Sequence, residues 1–183
     1  IDATTPISQV DKKLARIIFS EYKICILVIN KWDMALQAGA TTSDFEQYLT
    51  RVLPGLRYAP LAFTTATQSK NVQSLLDLGS EIFKMTTTKI PTAKLNKAFE
   101  FIKTERVSAA KHGKSGWPKI YYATQVSVNP ITILMFVNKP ELFEENYLRF
   151  IVGRLQSLLP IEEVPLRLLV RRHHKNDSEI NDK

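Results

Sequence analysis

The sequence predicts two folds in succession: an α/β part with a parallel sheet, then a compact α+β part in the order α-β-β-α-β. Three observations lead to this prediction. In the first half, helix-spaced apolar segments alternate with continuous apolar runs, which is typical of strands buried between helices in a parallel sheet. In the second half, two apolar segments flank Asn129-Pro130, which indicates two strands joined by a turn. The polar segment TTTKIPT, residues 86–92, lies between the two patterns.

The spacing of apolar residues defines the elements of the first part. It predicts a helix, a buried strand, a second helix, a second strand and a third helix, in that order. Ser43 is the expected N-cap of the second helix, and Glu46 would complete a capping box. The segments are ISQVDKKLARIIFSEY (7–22), KICILVIN (23–30), SDFEQYLTRVL (43–53), YAPLAFTTA (58–66) and NVQSLLDLGSEIFKM (71–85).

The second part begins with a helix that Thr92 is expected to cap. Two strands follow, KIYYATQVSV and ITILMFVN, and Pro140 is expected to be the first residue of the next helix. EEVPLRLLVRR predicts the last strand. The predicted boundaries are 1–85 for the α/β part, 86–91 for a linker, 92–172 for the α+β part and 173–183 for a polar tail, which we expect to be disordered.

Composition restricts the class of protein. Hydrophobic residues form 44% of the 183-residue chain, which is enough for a packed core. No apolar run approaches the ~18 residues that a membrane span needs. The single cysteine, Cys25, lies within an apolar run, so we expect a buried structural thiol in a reducing compartment and a cytoplasmic protein.

Positive charge is concentrated in the second half. The chain has a net charge of +7, of which residues 1–88 carry +1 and residues 89–183 carry +6. Segment 89–119 holds eight basic residues against Glu100 and Glu105. This pattern favours a polyanion partner such as RNA, and a basic surface without a partner explains it equally well.

Asn30-Lys31-Trp32-Asp33 follows the first predicted strand directly. Asn-Lys-x-Asp in this position is the pattern by which GTPases read guanine. The carboxylate of Asp33 would accept the two donors of guanine, N1–H and N2–H₂, as a bidentate pair. Asn30 would brace the neighbouring loop, and the aliphatic stem of Lys31 would cover the base. The alternative is an ordinary strand that ends in polar residues and turns.

A second segment supports the guanine interpretation. FTTA, residues 63–66, ends the next predicted strand, where the backbone N–H of a Thr65-Ala66 pair would face guanine O6. The carboxyl ends of strands in a parallel sheet are also where such sheets bind ligands.

The sequence lacks the phosphate-binding half of such a site. A phosphate loop requires G-x-x-x-x-G-K-[ST], and the one Gly-Lys pair, Gly113-Lys114, has Ser108 in place of the first glycine. It also follows a predicted helix rather than a strand. An Asp-x-x-Gly segment for Mg²⁺ is missing as well. We therefore predict weak nucleotide binding and no GTP hydrolysis by this chain, with no catalytic residue in it.

These segments resemble the Der/EngA family, bacterial GTPases with two tandem G domains and a C-terminal KH-like domain. DATTPISQVDKKLA, VINKWD and FTTATQSKNVQSLLD are similar to parts of its second G domain, and TAKLNKAF, KIYYATQ and NPITILMFVNKPELFEENYLRF to its KH-like domain. The last stretch is the most specific. The resemblance implies the C-terminal portion of a P-loop G domain followed by a KH-like domain.

The resemblance also implies a function. It implies GTP or GDP with Mg²⁺ as cofactors of the intact protein, a role in assembly of the large (50S) ribosomal subunit, and contact with rRNA. Without the rest of the G domain, we expect the first part to be disordered, to self-associate or to be completed by another chain. The alternative is a non-catalytic module that binds rRNA or a protein and has no nucleotide function.

Candidate RNA contacts lie in the basic second part. They are Lys111, Lys114, Lys119, Arg171 and Arg172. Trp117 is either a stacking residue or packed on its domain. Residues 113–116 spell the GxxG of RNA-binding KH domains but precede the first strand, so clamping of RNA in the usual KH manner is not predicted. The three histidines, His112, His173 and His174, lack further ligands, and no metal site is predicted.

Overall fold

A computed structural model describes residues 1–107 and 117–173. It divides into two compact units, the first formed by residues 1–86 and 163–165 and the second by the other described residues. The candidate RNA contacts Lys111 and Lys114, the 113–116 segment and the predicted disorder of the tail beyond His173 lie outside the described residues.

The first unit contains the predicted parallel sheet. Strands β1 and β2 pair in parallel, with Leu27 opposite Leu61 and Ile29 opposite Phe63. Asp2 forms a further parallel bridge with Asn30 on the other side of β1. The elements are α1 (Gln9–Ser20), β1 (Leu27–Ile29), α2 (Trp32–Gln37), α3 (Thr42–Val52), β2 (Leu61–Phe63) and α4 (Val72–Thr86), with 3₁₀ turns at Pro54–Leu56 and Ala66–Gln68.

The first strand is shorter than predicted, and Cys25 is half-buried rather than buried. The reason lies in the partner strand. Leu27 donates its N–H to the carbonyl of Pro60 at 2.9 Å, and Pro60 has no N–H with which to extend the ladder. Cys25 therefore lies before β1, where partial burial raises the pKa of its thiol.

The N-cap of α3 is Thr41, not Ser43 as predicted. Thr41 has an extended backbone (φ −113°, ψ 155°), and its hydroxyl accepts the N–H of Asp44 at 3.2 Å. The same hydroxyl donates to the Asp44 carboxylate at 2.6 Å. A Thr-x-x-Asp arrangement thus starts the helix two residues before the predicted Ser-x-x-Glu.

Trp32 lies at the centre of the core of the first unit. Its side chain is 7% exposed, and its ring lies 5.5 Å from Phe45 and 4.4 Å from Phe63, between centroids. Ile29, Leu49 and other buried apolar residues of β1 and α3 join this core. Helices α1 and α4, by contrast, expose several large apolar side chains: Val10, Leu14, Ile17, Phe19, Val72, Leu76 and Phe83.

The second unit has the predicted α-β-β-α-β order. Strand β4 is central, antiparallel to β3 and parallel to β5. The core includes fully buried side chains from both helices and the sheet, such as Phe99, Ile133 and Ile151. The elements are α5 (Thr92–Val107), β3 (Ile120–Val128), β4 (Ile131–Val137), α6 (Glu145–Leu158) and β5 (Leu166–Arg172), with a 3₁₀ turn at Pro140–Leu142.

Pro140 does not begin the long helix of the second unit, as predicted, but a separate 3₁₀ turn. Phe143 leaves the helical conformation (φ −96°, ψ 66°) and is 6% exposed. Burial of this ring in the core interrupts the helical path, and α6 begins two residues later at Glu145.

Candidate functional site

The loops that follow β1 and β2 meet through the side chain of Asn30. Its Oδ1 accepts the N–H of Ala66 at 3.1 Å and the hydroxyl of Thr64 at 3.3 Å. The backbone reinforces this connection, because Thr64 donates its N–H to Ile29 and accepts the N–H of Trp32 through its carbonyl. The parallel pairing of the two strands brings both loops to the same edge of the sheet.

Asp33 and Thr65 form a second link between these loops. The Thr65 hydroxyl donates to Oδ1 of Asp33 at 3.3 Å and accepts the Asp33 N–H, also at 3.3 Å. Thr65 is buried, with 3% exposure, whereas Asp33 is partly exposed in the first turn of α2. The buried hydroxyl thus holds one carboxylate oxygen and fixes the orientation of the group.

Lys31 adopts a left-handed backbone conformation (φ 60°, ψ 36°) at the N-cap of α2. This conformation is unfavourable for a residue with a side chain, and such positions are often functional. Its Nζ lies 2.7 Å from Oδ2 of Asp2, and Thr4 donates both its N–H and its hydroxyl to the other carboxylate oxygen. Lys31, with Thr4, holds the pKa of Asp2 well below its ordinary value.

The 64–71 segment is a tight loop. Thr65 and Lys70 form an antiparallel bridge, and Ser69 and Asn71 have positive φ angles of 53° and 61°. The Asn71 side chain donates to the Phe63 carbonyl at 2.8 Å, which closes the loop back onto β2. These contacts hold the 3₁₀ turn that carries Ala66.

The structure therefore brings together all five predicted guanine-site residues: Asn30, Lys31, Asp33, Thr65 and Ala66. Sequence reasoning missed two residues that support them, Asp2 and Asn71. In the sequence, Asp2 is only a lone carboxylate before a turn. Its partner, Lys31, is 29 residues away along the chain, and such a pair cannot be identified from spacing. The sequence signal for Asn71 was the general preference of asparagine for the left-handed region of backbone conformation.

The site offers hydrogen-bond acceptors to a ligand whose edge carries hydrogen-bond donors. Asp33 supplies carboxylate oxygens, and Asn30 supplies a side-chain amide. The Ala66 N–H, predicted to face guanine O6, is engaged by Asn30 in this structure. Across residues 1–107 and 117–173, no group of three or more His, Cys, Asp or Glu side chains is placed to hold a metal ion.

Comparison with known proteins identifies the family. Residues 89–171 match the family model described as the KH-domain-like, C-terminal domain of EngA bacterial GTPase enzymes. GTPase Der of Rhodopirellula baltica is 30% identical over 97% of this chain, and GTPase Der of Natranaerobius thermophilus is 34% identical over 93%. GTPase Der of Acaryochloris marina is 32% identical over 99% of the chain.

The chain belongs to the Der/EngA family. It spans 38–40% of the length of these three relatives. The similarity covers both units, because the aligned share of the chain extends well beyond the KH-like region. No helix in the part of the chain that the structure describes is both long and apolar enough to span a membrane.

The KH-like unit of this Der/EngA chain carries the described RNA-contact candidates. The Lys119 ammonium lies 5.0 Å from the Tyr121 ring centroid, and the Arg171 guanidinium lies 5.9 Å from that of Phe136. Arg172 lies 3.3 Å from the carboxylate of Glu141. All three basic side chains are exposed at the same end of the sheet, because Lys119 directly precedes β3 and the arginines end β5.

Proposed function

We propose that this chain is the guanine-reading portion of a Der/EngA GTPase, followed by its KH-like module. One observation carries the proposal: Asn30 of the Asn-Lys-x-Asp motif is hydrogen-bonded to Ala66 at 3.1 Å, so the two predicted base-binding loops form one site. Family membership favours the same function.

In this proposal, Asp33 accepts guanine N1–H and N2–H₂ while Thr65 keeps its carboxylate oriented. The stem of Lys31, held at its far end by Asp2, lies along the base plane. The Ala66 N–H turns from Asn30 to guanine O6 when the base enters. Adenine presents an acceptor where guanine has N1–H, so a site of this kind rejects it by roughly 10⁴-fold when fully formed.

GTP or GDP with Mg²⁺ is the proposed cofactor set of the intact protein. The sequence of this chain contains neither a phosphate loop nor an Asp-x-x-Gly segment, and both are needed to hold the phosphates and the metal. We therefore propose GTP hydrolysis as an activity of the intact protein and not of this chain, whose affinity for nucleotide is weak.

The proposed cellular role is assembly of the large ribosomal subunit in the cytoplasm, with rRNA as a partner of the KH-like unit. The net charge of +6 on residues 89–183 supports an RNA partner. Binding to RNA should weaken with salt, with a log–log slope of roughly −0.7 per phosphate neutralised. A slope of zero would contradict the RNA partner.

A second candidate function is a non-catalytic module that binds rRNA or a protein, with no nucleotide role in this chain. Two observations favour it: the missing phosphate motifs, and the exposed Lys119, Arg171 and Arg172 on the KH-like unit. The exposed apolar side chains of α1 and α4 also favour contact with another protein surface, of which self-association is the simplest form. Sedimentation at increasing protein concentration tests that contact.

Nuclear magnetic resonance titration of the whole chain with guanosine, GDP and adenosine tests the guanine proposal. We expect the amide signals of Asp33, Thr65 and Ala66 to shift with the guanine compounds at millimolar concentration and not with adenosine. The variant Asp33→Ala should remove the shifts. Equal shifts with adenosine, or none with GDP, would overturn the guanine site and leave the non-catalytic module as the function.

A further inference from the structure

Four aromatic rings form a cluster at one end of the β3-β4-β5 sheet: Tyr121, Tyr122, Phe136 and His173, called here the ring cluster. Tyr122 and Phe136 stack, with centroids 4.3 Å apart and planes 17° apart. His173 lies 4.7 Å from Tyr121 and 5.8 Å from Tyr122, between centroids. The four rings therefore form one contiguous cluster across β3, β4 and the end of β5.

A β-bulge places the two tyrosines side by side. Ile120 pairs with Val137 and Tyr122 pairs with Phe136, so Tyr121 is an extra residue in β3. Successive residues of a regular strand point to opposite faces, and a bulge redirects a side chain that would otherwise point away. His173 contacts both tyrosine rings, which shows that the bulge has turned Tyr121 towards the same face as Tyr122.

The ring cluster lies on the face of the sheet that is turned away from the core. The next pair in the ladder, Ala123 and Met135, is fully buried, so Tyr122 and Phe136 point to the opposite face. Phe136 is itself covered, with 8% exposure, whereas Tyr121 is 43% exposed. Tyr121 is therefore the most exposed of the four rings, and the other three pack behind it or beside it.

Hydrogen bonds of Asn138 and of the backbone hold this end of the sheet in place before any ligand binds. Asn138, just beyond β4, accepts the N–H of Lys119 with its side-chain oxygen at 2.9 Å and donates its N–H to the Lys119 carbonyl at 3.0 Å. Its side-chain amide also donates to the Trp117 carbonyl at 2.8 Å. His173 extends β5 by donating its N–H to Val137 at 2.8 Å.

Two cations lie beside rings of the cluster. Lys119 lies over Tyr121 and Arg171 over Phe136, at 5.0 Å and 5.9 Å. Arg172, the next residue of β5, pairs with Val137 and therefore points to the other face of the sheet, where it lies 3.3 Å from the carboxylate of Glu141. Lysine and arginine beside an accessible aromatic ring match a ligand that has both a flat face and negative charge.

We infer that the ring cluster binds single-stranded RNA by stacking one unpaired base on Tyr121, while Lys119 and Arg171 contact the adjoining phosphates. Stacking on aromatic side chains together with a cationic surface is the general way in which proteins hold single strands. The inference rests on the RNA partner proposed above and adds a binding site that does not involve the GxxG segment.

The base takes the position that Lys119 occupies in the structure. Its ammonium lies over the Tyr121 ring, and its side chain is exposed and able to move. A stacked base interacts more strongly with an aromatic ring than an exposed cation does. Binding therefore exchanges one contact for two: the base stacks on Tyr121, and the released ammonium pairs with a phosphate.

The test compares two probes on the whole chain by fluorescence anisotropy and competition at one fixed salt concentration. One is an oligoadenylate of about 12 nucleotides, a length within the range that single-strand binders cover. The other is inorganic polyphosphate, which has the charge and no bases. The variants are Tyr121→Leu, Tyr121→Phe, Lys119→Gln and, as a matched control, Phe101→Leu, which removes an exposed ring that also lies beside an arginine.

We expect Tyr121→Leu to weaken oligoadenylate binding by about tenfold and to leave polyphosphate binding unchanged. Tyr121→Phe and Phe101→Leu should bind oligoadenylate like the unmodified chain, and Lys119→Gln should weaken both probes. Unchanged oligoadenylate binding by Tyr121→Leu, or an equal loss for polyphosphate, would overturn stacking and leave an RNA partner held by charge. No oligoadenylate binding by the unmodified chain at low salt would overturn the RNA partner as well.

Discussion

The side-chain oxygen of Asn30 lies 3.1 Å from the backbone nitrogen of Ala66, and this hydrogen bond joins the loops that follow β1 and β2. The two residues are 36 positions apart in the chain. A second hydrogen bond, from the Thr65 hydroxyl to Oδ1 of Asp33 at 3.3 Å, joins the same two loops. These contacts hold the two loops together in the absence of a base.

Asn30→Ala should destabilise the first unit. The substitution leaves the buried Thr64 hydroxyl without its acceptor, and the expected loss in the free energy of unfolding is ~1–2 kcal/mol. Urea unfolding followed by tryptophan fluorescence measures it in a Trp117→Phe background, where Trp32 is the one tryptophan of the sequence. Gln37→Ala, at the exposed end of α2, is the control and should change little. Equal stability of Asn30→Ala and the unmodified chain would show that the two loops are held without this side chain.

Asp33→Asn should change the base preference from guanine to xanthine. An amide N–H₂ donates where the carboxylate accepts, and xanthine carries a carbonyl oxygen in place of the guanine amine. We expect guanosine binding to weaken by at least about tenfold, ~1.4 kcal/mol, and xanthosine binding to strengthen. The titration used for the guanine proposal measures both. Loss of guanosine binding without a gain for xanthosine would indicate that Asp33 orients the loop rather than reading the base.

Asn96→Ala should destabilise the KH-like unit. The Asn96 side chain in α5 accepts the N–H of Ala123 at 2.8 Å and donates to its carbonyl at 3.1 Å, along the edge of β3. Ala123 is fully buried, so removing both partners should cost ~2 kcal/mol. Thermal unfolding measures the loss. Asn96→Asp keeps the acceptor for the Ala123 N–H but turns a carboxylate oxygen towards the carbonyls of Thr92 and Ala123, so it should lose at least as much as Asn96→Ala. An unchanged unfolding temperature in Asn96→Ala would contradict the role of these hydrogen bonds.

Alanine in place of Gly79 in α4 or Gly153 in α6 should stabilise the chain. A Cβ at Gly79 would meet only Ile26 Cδ1 at 3.9 Å, and one at Gly153 would meet nothing within 4 Å. Each substitution should gain ~0.5–1 kcal/mol because alanine loses less backbone freedom in a helix. Gly39→Ala is the opposite control, because φ there is +84° and the left-handed conformation costs a residue with a side chain ~1 kcal/mol. Chemical denaturation should show that Gly79→Ala and Gly153→Ala are more stable than the unmodified chain and that Gly39→Ala is less stable.

Alkaline pH should lower the free energy of unfolding of the first unit. Burial raises the pKa of the Cys25 thiol above 9.0 and, with a smaller contribution from Cys25, the pKa of Tyr58 to about 12. A group with a raised pKa in the folded state stabilises the fold below its unfolded pKa, and this stabilisation is lost as pH rises through the folded value. The urea midpoint should therefore be constant at neutral pH and fall from about pH 9 upwards. The double variant Cys25→Ala, Tyr58→Phe should show a shallower fall, and an unchanged pH profile would contradict this assignment.

Local sequence information predicted the fold class and the five guanine-site candidates, and it was less accurate at the ends of elements. Apolar periodicity placed the predicted helices and strands in the correct order, because burial selects the same spacing wherever it occurs, but it missed the short helix α2, Trp32–Gln37. The start of β1 depended on Pro60 in the partner strand, and the start of α6 depended on the burial of Phe143. Neither the partner strand nor the core that buries Phe143 can be recognised from the pattern of a single segment.

The sequence by itself determined the order of the longer helices and of the strands, the Asn-Lys-x-Asp motif and the concentration of positive charge in the second half. Tertiary structure decided which residues meet. Asp2 reaches Lys31 through the pairing of the chain start with β1, and the four rings of the ring cluster meet because one extra residue in β3 turns Tyr121 towards His173. Both results depend on strand register, which is set by hydrogen bonds between segments distant in the chain and therefore leaves no local trace in the sequence.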